Sequence, residues 1–137
     1  MDVRCPSCGQ MNRVPELEAG KKAVCGKCKA SLNGYPVELN DSNFASTIAS
    51  GNFVVDFWAG WCAPCRKQAP IIEELASEHE RVRFGKLDVD ESGATSLSFN
   101  IRGIPTLIFF RDGAELDRMV GVQSKMEIQA KMAQYFY

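Results

Sequence analysis

No stretch of the chain is long and apolar enough to span a bilayer, and the opening Met1-Asp2-Val3-Arg4-Cys5 has no apolar core of a secretory signal. The expectation is a soluble, cytoplasmic protein with no membrane partner. Charge of one sign is also lacking: the net charge is -1, with acidic and basic residues mixed along the chain. That leaves no electrostatic footprint for nucleic acid or an anionic surface. Aromatic residues are missing before Tyr35, so the amino-terminal segment has no platform on which bases stack. Its basic residues Arg4, Arg13, Lys21, Lys22, Lys27 and Lys29, offset by Asp2, Glu16 and Glu18, make only a modest positive patch on a solvated surface. Large apolar residues are scarce in the same segment, which offers Val3, Met11, Val14, Leu17, Val24 and Leu32; these cannot form a core unaided. Histidine is limited to His79, near the end of a helical pattern, where a solvated residue beside the C-terminal dipole is expected and no role is assigned.

What the chain does have is six cysteines in 137 residues, all in CxxC pairs. In a reducing compartment such pairs point to metal binding or redox catalysis and not to a disulfide framework. Cys5, Cys8, Cys25 and Cys28 form two CxxC knuckles at zinc-ribbon spacing, set in the turn-like stretches Cys5-Pro6-Ser7-Cys8-Gly9 and Cys25-Gly26-Lys27-Cys28. Four thiolates aimed at one ion predict a structural Zn(2+), one per chain, whose binding supplies most of the segment's folding free energy. Iron in a rubredoxin-like site is the competing metal, because sulfur ligands alone do not separate the two. The Asn33-Gly34-Tyr35-Pro36 break then divides a four-cysteine ribbon, 1–35, from a catalytic domain, 36–137.

After the break the texture alternates between strand and helix patterns. A helix starts at Asp41-Ser42-Asn43-Phe44 and runs through Ile48 to a stop at Gly51; Asn52 to Trp58 reads as a buried strand. Pro64 to Glu78 has helical spacing with Ile71, Ile72 and Leu75 as its apolar stripe and Pro70 inside it, which predicts a kink. Arg81 to Val89 reads as a strand, Ser92 to Phe99 as a short helix, Pro105 to Phe110 as a strand turning at Arg111-Asp112-Gly113, and Glu115 to Val120 as its hairpin partner. Ser124 to Phe136 closes the chain as an amphipathic helix whose Met126, Ile128, Met132 and Phe136 are expected to face the core. The predicted order is β-α-β-α-β-α-β-β-α: an α/β fold with a mixed sheet and helices on both faces.

The third pair, in Trp61-Cys62-Ala63-Pro64-Cys65, falls where the buried strand meets the long helix. The first thiol then sits at a helix N-terminus, where unpaired N–H groups and the dipole favour an anion. Only a thiolate attacks a disulfide, so Cys62 is the expected nucleophile; Cys65, one turn in, stays protonated until it resolves the mixed disulfide. Pro64 suits the first helical turn, where its missing N–H has no partner to lose. A metal half-site here would need a further ligand pair, which His79 alone does not supply. Asp56 interrupts the apolar run Phe53-Val54-Val55-Asp56-Phe57-Trp58, and burying a carboxylate is costly. Strand alternation puts it on one face with Val54 and Trp58. If the helix of Cys62 covers that face, Asp56 lies beneath the dithiol with a raised pKa, ready to accept the proton of Cys65, with Lys86 as an ion-pair partner. A purely structural Asp56–Lys86 pair is the alternative.

From about Val37 to Tyr137 the residues resemble thioredoxin. The stretch Val54-Val55-Asp56-Phe57-Trp58-Ala59-Gly60-Trp61-Cys62-Ala63-Pro64-Cys65, then Arg102-Gly103-Ile104-Pro105-Thr106, Asp112-Gly113 and Val120-Gly121 all fall in order. With the ribbon ahead of it, the chain is similar to the zinc-binding bacterial thioredoxin 2 subfamily. The resemblance implies a thioredoxin fold behind a small zinc-ribbon domain, and a protein-disulfide reductase recharged from NADPH by thioredoxin reductase. Carried over by position, Cys62 is nucleophile, Cys65 resolving thiol, and Asp56 with Lys86 the proton-transfer pair. The Ile104-Pro105 bond is implied to be cis, and Trp61, Ala63, Pro64, Gly103, Ile104, Pro105, Val120 and Gly121 are implied to bind substrate backbone in the manner of an added strand. A monomer acting on disulfide-containing proteins, without nucleic acid, is expected. Ala63 stands where the usual motif has Gly, which bears on the reduction potential and keeps a disulfide oxidase or isomerase as the nearest alternative reaction. A binding module built on the ribbon, and a ribbon that releases zinc on oxidation, are the other readings.

Overall fold

The computed structural model describes residues 2–5, 8–14, 23–29 and 35–137. Pro6 and Ser7 of the first knuckle, Leu17 and Leu32, the charged Glu16, Glu18, Lys21 and Lys22, and the Asn33-Gly34 part of the break lie outside those residues. Near the amino terminus β1 (Asp2–Arg4) and β2 (Met11–Arg13) pair antiparallel. The remaining elements run β3 (Val37–Leu39), α1 (Phe44–Ile48), β4 (Asn52–Trp58), α2 (Ala63–Glu78), β5 (Val82–Asp88), α3 (Gly93–Ser98), β6 (Thr106–Arg111), β7 (Ala114–Val120) and α4 (Lys125–Phe136). This is the expected order, and β4 has the expected bounds.

The sheet runs β3-β5-β4-β6-β7. The first three strands are mutually parallel, and β6 and β7 turn the other half antiparallel. The central β4 is buried on both faces because each face carries its own helices, and so it reads as a continuous apolar run. Its odd residues Phe53, Val55 and Phe57 join Phe44, Ile48, Leu87, Ile108 and Phe110 on one side of the sheet. There Phe44, Phe57, Phe99 and Phe110 pack ring against ring, with centroids 5.4 to 6.3 Å apart. Val54 of β4 joins Ile72, Leu75, Phe84, Leu107, Phe109, Ile128 and Met132 on the other side. That second side is therefore the face of α2 and α4, and the strand's period of two places Asp56 on it.

Local chemistry sets the boundaries. The β6–β7 turn has positive φ at Asp112 (49°) and Gly113 (83°), as a tight hairpin turn with an Asp-Gly pair requires. The carboxylate of Asp112 accepts the Gly51 N–H at 2.8 Å, tying this turn to the start of β4. Ser124 caps α4 in a capping box with Glu127, and Lys125 reaches Glu74 and Glu78 of α2 at 2.8 and 2.6 Å. Helix α2 runs through Pro70 to Glu78, the end that the helical spacing predicts; the proline removes one hydrogen bond of the ladder.

Two expectations are corrected. Met126 is 80 % exposed, whereas Ile128 and Met132 are buried. At 3.6 residues per turn, position 126 lies about 200° from 128, on the far side of the helix from the stripe formed by 128 and 132. His79 is not simply solvated: it caps the C-terminus of α2, its Nδ1 lies 3.2 Å from the Tyr137 hydroxyl, and its Nε2 is buried with no partner among the described residues.

Candidate functional site

Strand β4 delivers the chain through Ala59-Gly60-Trp61 to Cys62, which is the N-cap of α2. The Cys65 N–H donates to the Cys62 sulfur at 3.2 Å, so one of the helix's unpaired donors is spent on that atom. Cys62 and Cys65 are joined as a disulfide with their Cα atoms 5.3 Å apart. Both are nearly enclosed by Ala59, Trp58, Val89 and Ile104. The loop before them is held by the Arg66 guanidinium, which donates to the Gly60 carbonyl at 2.8 Å.

Asp56 is 1 % exposed, and neither of its carboxylate oxygens has a hydrogen-bond partner among the described residues. Burial pushes its pKa up to about 7, against the opposing pull of the Lys86 charge. A cavity of about 120 Å³ is lined by Asp56, Trp58, Cys65, Arg66, Ala69 and Lys86. It has room for more than one water; its lining is mostly apolar, with Asp56, Arg66 and Lys86 its charged residues. Asp56 and the resolving sulfur's residue thus line one cavity, which is partly open to solvent. Lys86 is the register partner of Asp56 across β4 and β5, but the expected ion pair is absent: its Nζ stands 4.8 Å from the centroid of the Trp58 ring. The long side chain finds the aromatic face and influences Asp56 through space.

Beside the dithiol, the Ile104–Pro105 peptide is cis, and the Ile104 carbonyl lies 3.8 Å from the Cys62 sulfur. The Gly121 N–H donates to the Pro105 carbonyl at 2.8 Å, and the Thr106 hydroxyl donates to Gly103. A Cβ on Gly103 would come within 3.1 Å of Val120 Cγ1, so glycine lets these two loops close. Trp61 and Val120 are exposed, at 69 and 61 %, and the Trp61 indole is oriented by a 2.8 Å hydrogen bond to Asp90. Ala63 and Pro64 are exposed beside them.

The other four cysteines gather elsewhere. The sulfurs of Cys5, Cys8, Cys25 and Cys28 all lie within 4.8 Å of one another, with Cys5 to Cys28 at 3.4 Å and Cys8 to Cys25 at 3.7 Å. Thiolates about 2.3 Å from a zinc stand about 3.8 Å apart at the corners of a tetrahedron, so the donor set fits such an ion. The two knuckles are copies: Gly9 N–H bonds Cys5 O, Lys29 N–H bonds Cys25 O, and both Gly9 (78°) and Lys29 (67°) have positive φ. The Cys28 backbone N–H, opposed by burial and aided by the Asn12 amide and the Lys27 N–H, holds the Cys25 thiol down at about 6. The Asp2 carboxylate of β1 accepts from the Asn43 amide at 3.3 Å, and Arg4 pairs with Glu38 at 3.6 Å.

Three polar residues of these sites escaped the sequence reading. Asn12 donates to the Cys25 sulfur and accepts from the Gly26 N–H; no periodicity marks it, since β2 is three residues long. Arg66 braces the loop before the dithiol. Gln68 is fully buried, and its one available signal was a polar residue three positions after Cys65 and four before Ile72, within the apolar stripe.

A redox dithiol at a strand-to-helix junction of a mixed sheet, with a buried carboxylate behind it, defines a thiol–disulfide oxidoreductase. The family description Thioredoxin matches residues 35–134, and Thioredoxin 2, N-terminal, matches residues 4–30. Thioredoxin C-3 of Corynebacterium nephridii is 37 % identical over 132 residues, 94 % of this chain and 91 % of its own. A thioredoxin of Staphylococcus saprophyticus is 49 % identical over 90 residues, 65 % of this chain and 86 % of its own. The solved structure of a mutant thioredoxin from Halobacterium salinarum superposes with a TM-score of 0.71 at 29 % identity, covering 77 % of this chain and 94 % of that one. The chain belongs to the thioredoxin family, and it is a protein-disulfide reductase of that type. Its ribbon of four clustered cysteines is compatible with a structural metal.

Proposed function

We propose that the chain reduces disulfides in other proteins by two exchange steps at Cys62 and Cys65 and is recharged with electrons from NADPH by thioredoxin reductase. The observation that carries the mechanism is the cavity lined by both Asp56 and Cys65, beside a Cys62 sulfur that already accepts a helix N–H. In the first step the Cys62 thiolate attacks one sulfur of the client disulfide. A Cys62–client disulfide forms, the client's S–S bond breaks, and the other client sulfur leaves as a thiolate. In the second step Asp56 takes the Cys65 proton through the cavity, and the Cys65 thiolate attacks the Cys62 sulfur. The Cys62–Cys65 disulfide forms and the second client thiolate departs, so two electrons have moved to the client. The reductase returns two electrons to the dithiol.

Substrate is read by the surface around Trp61, Ala63 and Pro64 and by the loops Gly103-Ile104-Pro105 and Val120-Gly121. The Ile104 backbone pairs with an extended client segment. In the ribbon, Cys5, Cys8, Cys25 and Cys28 hold one structural Zn(2+), which cross-links the two knuckles when bound. Four cysteines gathered as thiols and not as disulfides suit a reducing compartment such as the cytoplasm. Insulin reduction coupled to NADPH oxidation through thioredoxin reductase tests the reading; a wild-type protein that reduces no insulin refutes it.

A further inference from the structure

The geometry points to Gln68 as a positioning residue that sets the spacing between the dithiol helix and the docking loop, and thereby governs how a polypeptide disulfide is presented to Cys62. This inference rests on the docking surface proposed above. Gln68 lies three residues after Cys65, on the same buried face of α2. A primary amide that is 0 % exposed needs partners for both of its ends. It finds them on a single residue outside the helix. Its Oε1 accepts the backbone N–H of Gln123 at 2.7 Å, and its Nε2 donates to the backbone carbonyl of Gln123 at 3.2 Å.

Accepting from the N–H and donating to the C=O of one residue reproduces the bond pair that a neighbouring strand residue makes. Residue 123 lies between the end of β7 and the α4 cap, beyond the reach of the sheet ladder. The helix side chain therefore supplies the partner that the sheet does not. From this anchor the Gln123 side chain reaches back, its Nε2 lying 3.3 Å from the Val120 carbonyl and 3.2 Å from that of Gly121. Gly121 donates to Pro105, and the Ile104 carbonyl faces the Cys62 sulfur. The contacts close a circuit from Cys65 through Gln68, Gln123, Gly121 and Pro105 to Cys62. Loosening the Gln68 link frees the Val120-Gly121 wall while leaving the helix N-terminus and Asp56 as they are. A client that needs the wall is affected, and a small disulfide that needs only the sulfur is not.

The test compares insulin with a small aromatic disulfide, dithionitrobenzoate, in Gln68→Met, which keeps chain length and removes both hydrogen bonds. The expected result is a KM for insulin raised about fivefold, the worth of roughly one net buried hydrogen bond, with kcat and the dithionitrobenzoate rate unchanged. Gln68→Glu adds a readout that simple loss of packing does not move. Its protonated carboxyl keeps both bonds and its ionised form loses the donor, so its insulin preference relative to wild type falls as pH rises. Gln68→Glu assayed at acid pH also carries the test if Gln68→Met does not fold. In the wild type the Gln123 amide is expected to be protected from hydrogen exchange. A folded Gln68→Met with the wild-type ratio of the two substrates overturns the role of Gln68 alone, as does a freely exchanging Gln123 amide. A wild type inert towards both disulfides overturns the exchange reaction itself.

Discussion

The same two-cysteine spacing occurs three times in this chain, twice in turns and once where a strand meets a helix. In the turns, each knuckle ends in a residue of positive φ and the sulfurs of one knuckle face those of the other. At the helix, the two sulfurs of the one pair face each other and are joined; the backbone N–H of the second cysteine is aimed at the first there, as it also is at Cys25. The motif is identical, and what differs is the backbone that follows it and the presence of a second pair within reach. Two knuckles facing each other gather their four thiols as ligands for one ion. A helix start makes the two cysteines unequal, and that inequality is what disulfide exchange uses.

The largest effect that tests this comparison is expected from Cys62→Ser, which abolishes insulin reduction and leaves the zinc content at one per chain. Loss of metal from this variant, measured by elemental analysis, would break the separation of the two sites. Cys25→Ser is expected to do the reverse. It removes the metal and the ribbon's amide protection, since the ribbon's described core is only Val3, Val14 and two of the cysteines, while insulin reduction persists.

Asp56→Asn sharpens the difference from the catalytic side. The carboxylate accepts a proton only when ionised, so with a pKa pushed up to about 7 the substitution slows resolution of the mixed disulfide about a hundredfold at pH 8. The gap closes towards pH 5, where the wild-type carboxyl is already protonated; rapid-quench trapping of the mixed disulfide measures it. The same shift has a stability consequence. A carboxyl whose folded pKa lies above its unfolded value favours the folded state below pH 4 and loses that contribution as pH rises through about 7. Thermal unfolding is therefore expected to show Asp56→Asn more stable than wild type at pH 8, by a few kcal/mol, with a smaller margin at pH 4. The smallest effect is expected from Asn12→Ala, which removes the donor to the Cys25 sulfur and lowers zinc affinity about tenfold, as read by competition with a chelating dye.

Much of this comparison was legible in the sequence because it rests on backbone signals. The apolar run from Asn52 to Trp58 marked β4, and the amphipathic spacing from Ser124 to Phe136 marked α4. A carboxylate in a buried strand announced Asp56. What was not legible depends on where side chains end. Lys86 was expected to pair with Asp56, but a flexible stem let its ammonium settle over Trp58. Met126 looked like part of an apolar stripe until the helical angle placed it on the opposite face. Gln68 and Asn12 serve backbone atoms far away in sequence, and nothing in local pattern specifies a partner 55 residues on.

The five-stranded sheet ends in β7 on one side, a strand seven residues long with one neighbour among the described residues. Such an edge is a template to which another chain can add itself. Along β7, Glu115 and Arg118 pair at 2.7 Å, and Asp117 holds Lys131 at 2.6 Å and the Tyr135 hydroxyl at 3.0 Å. These charges line the strand where apolar side chains would welcome a visitor. The molecule thus makes its own margin a poor template for another chain to extend.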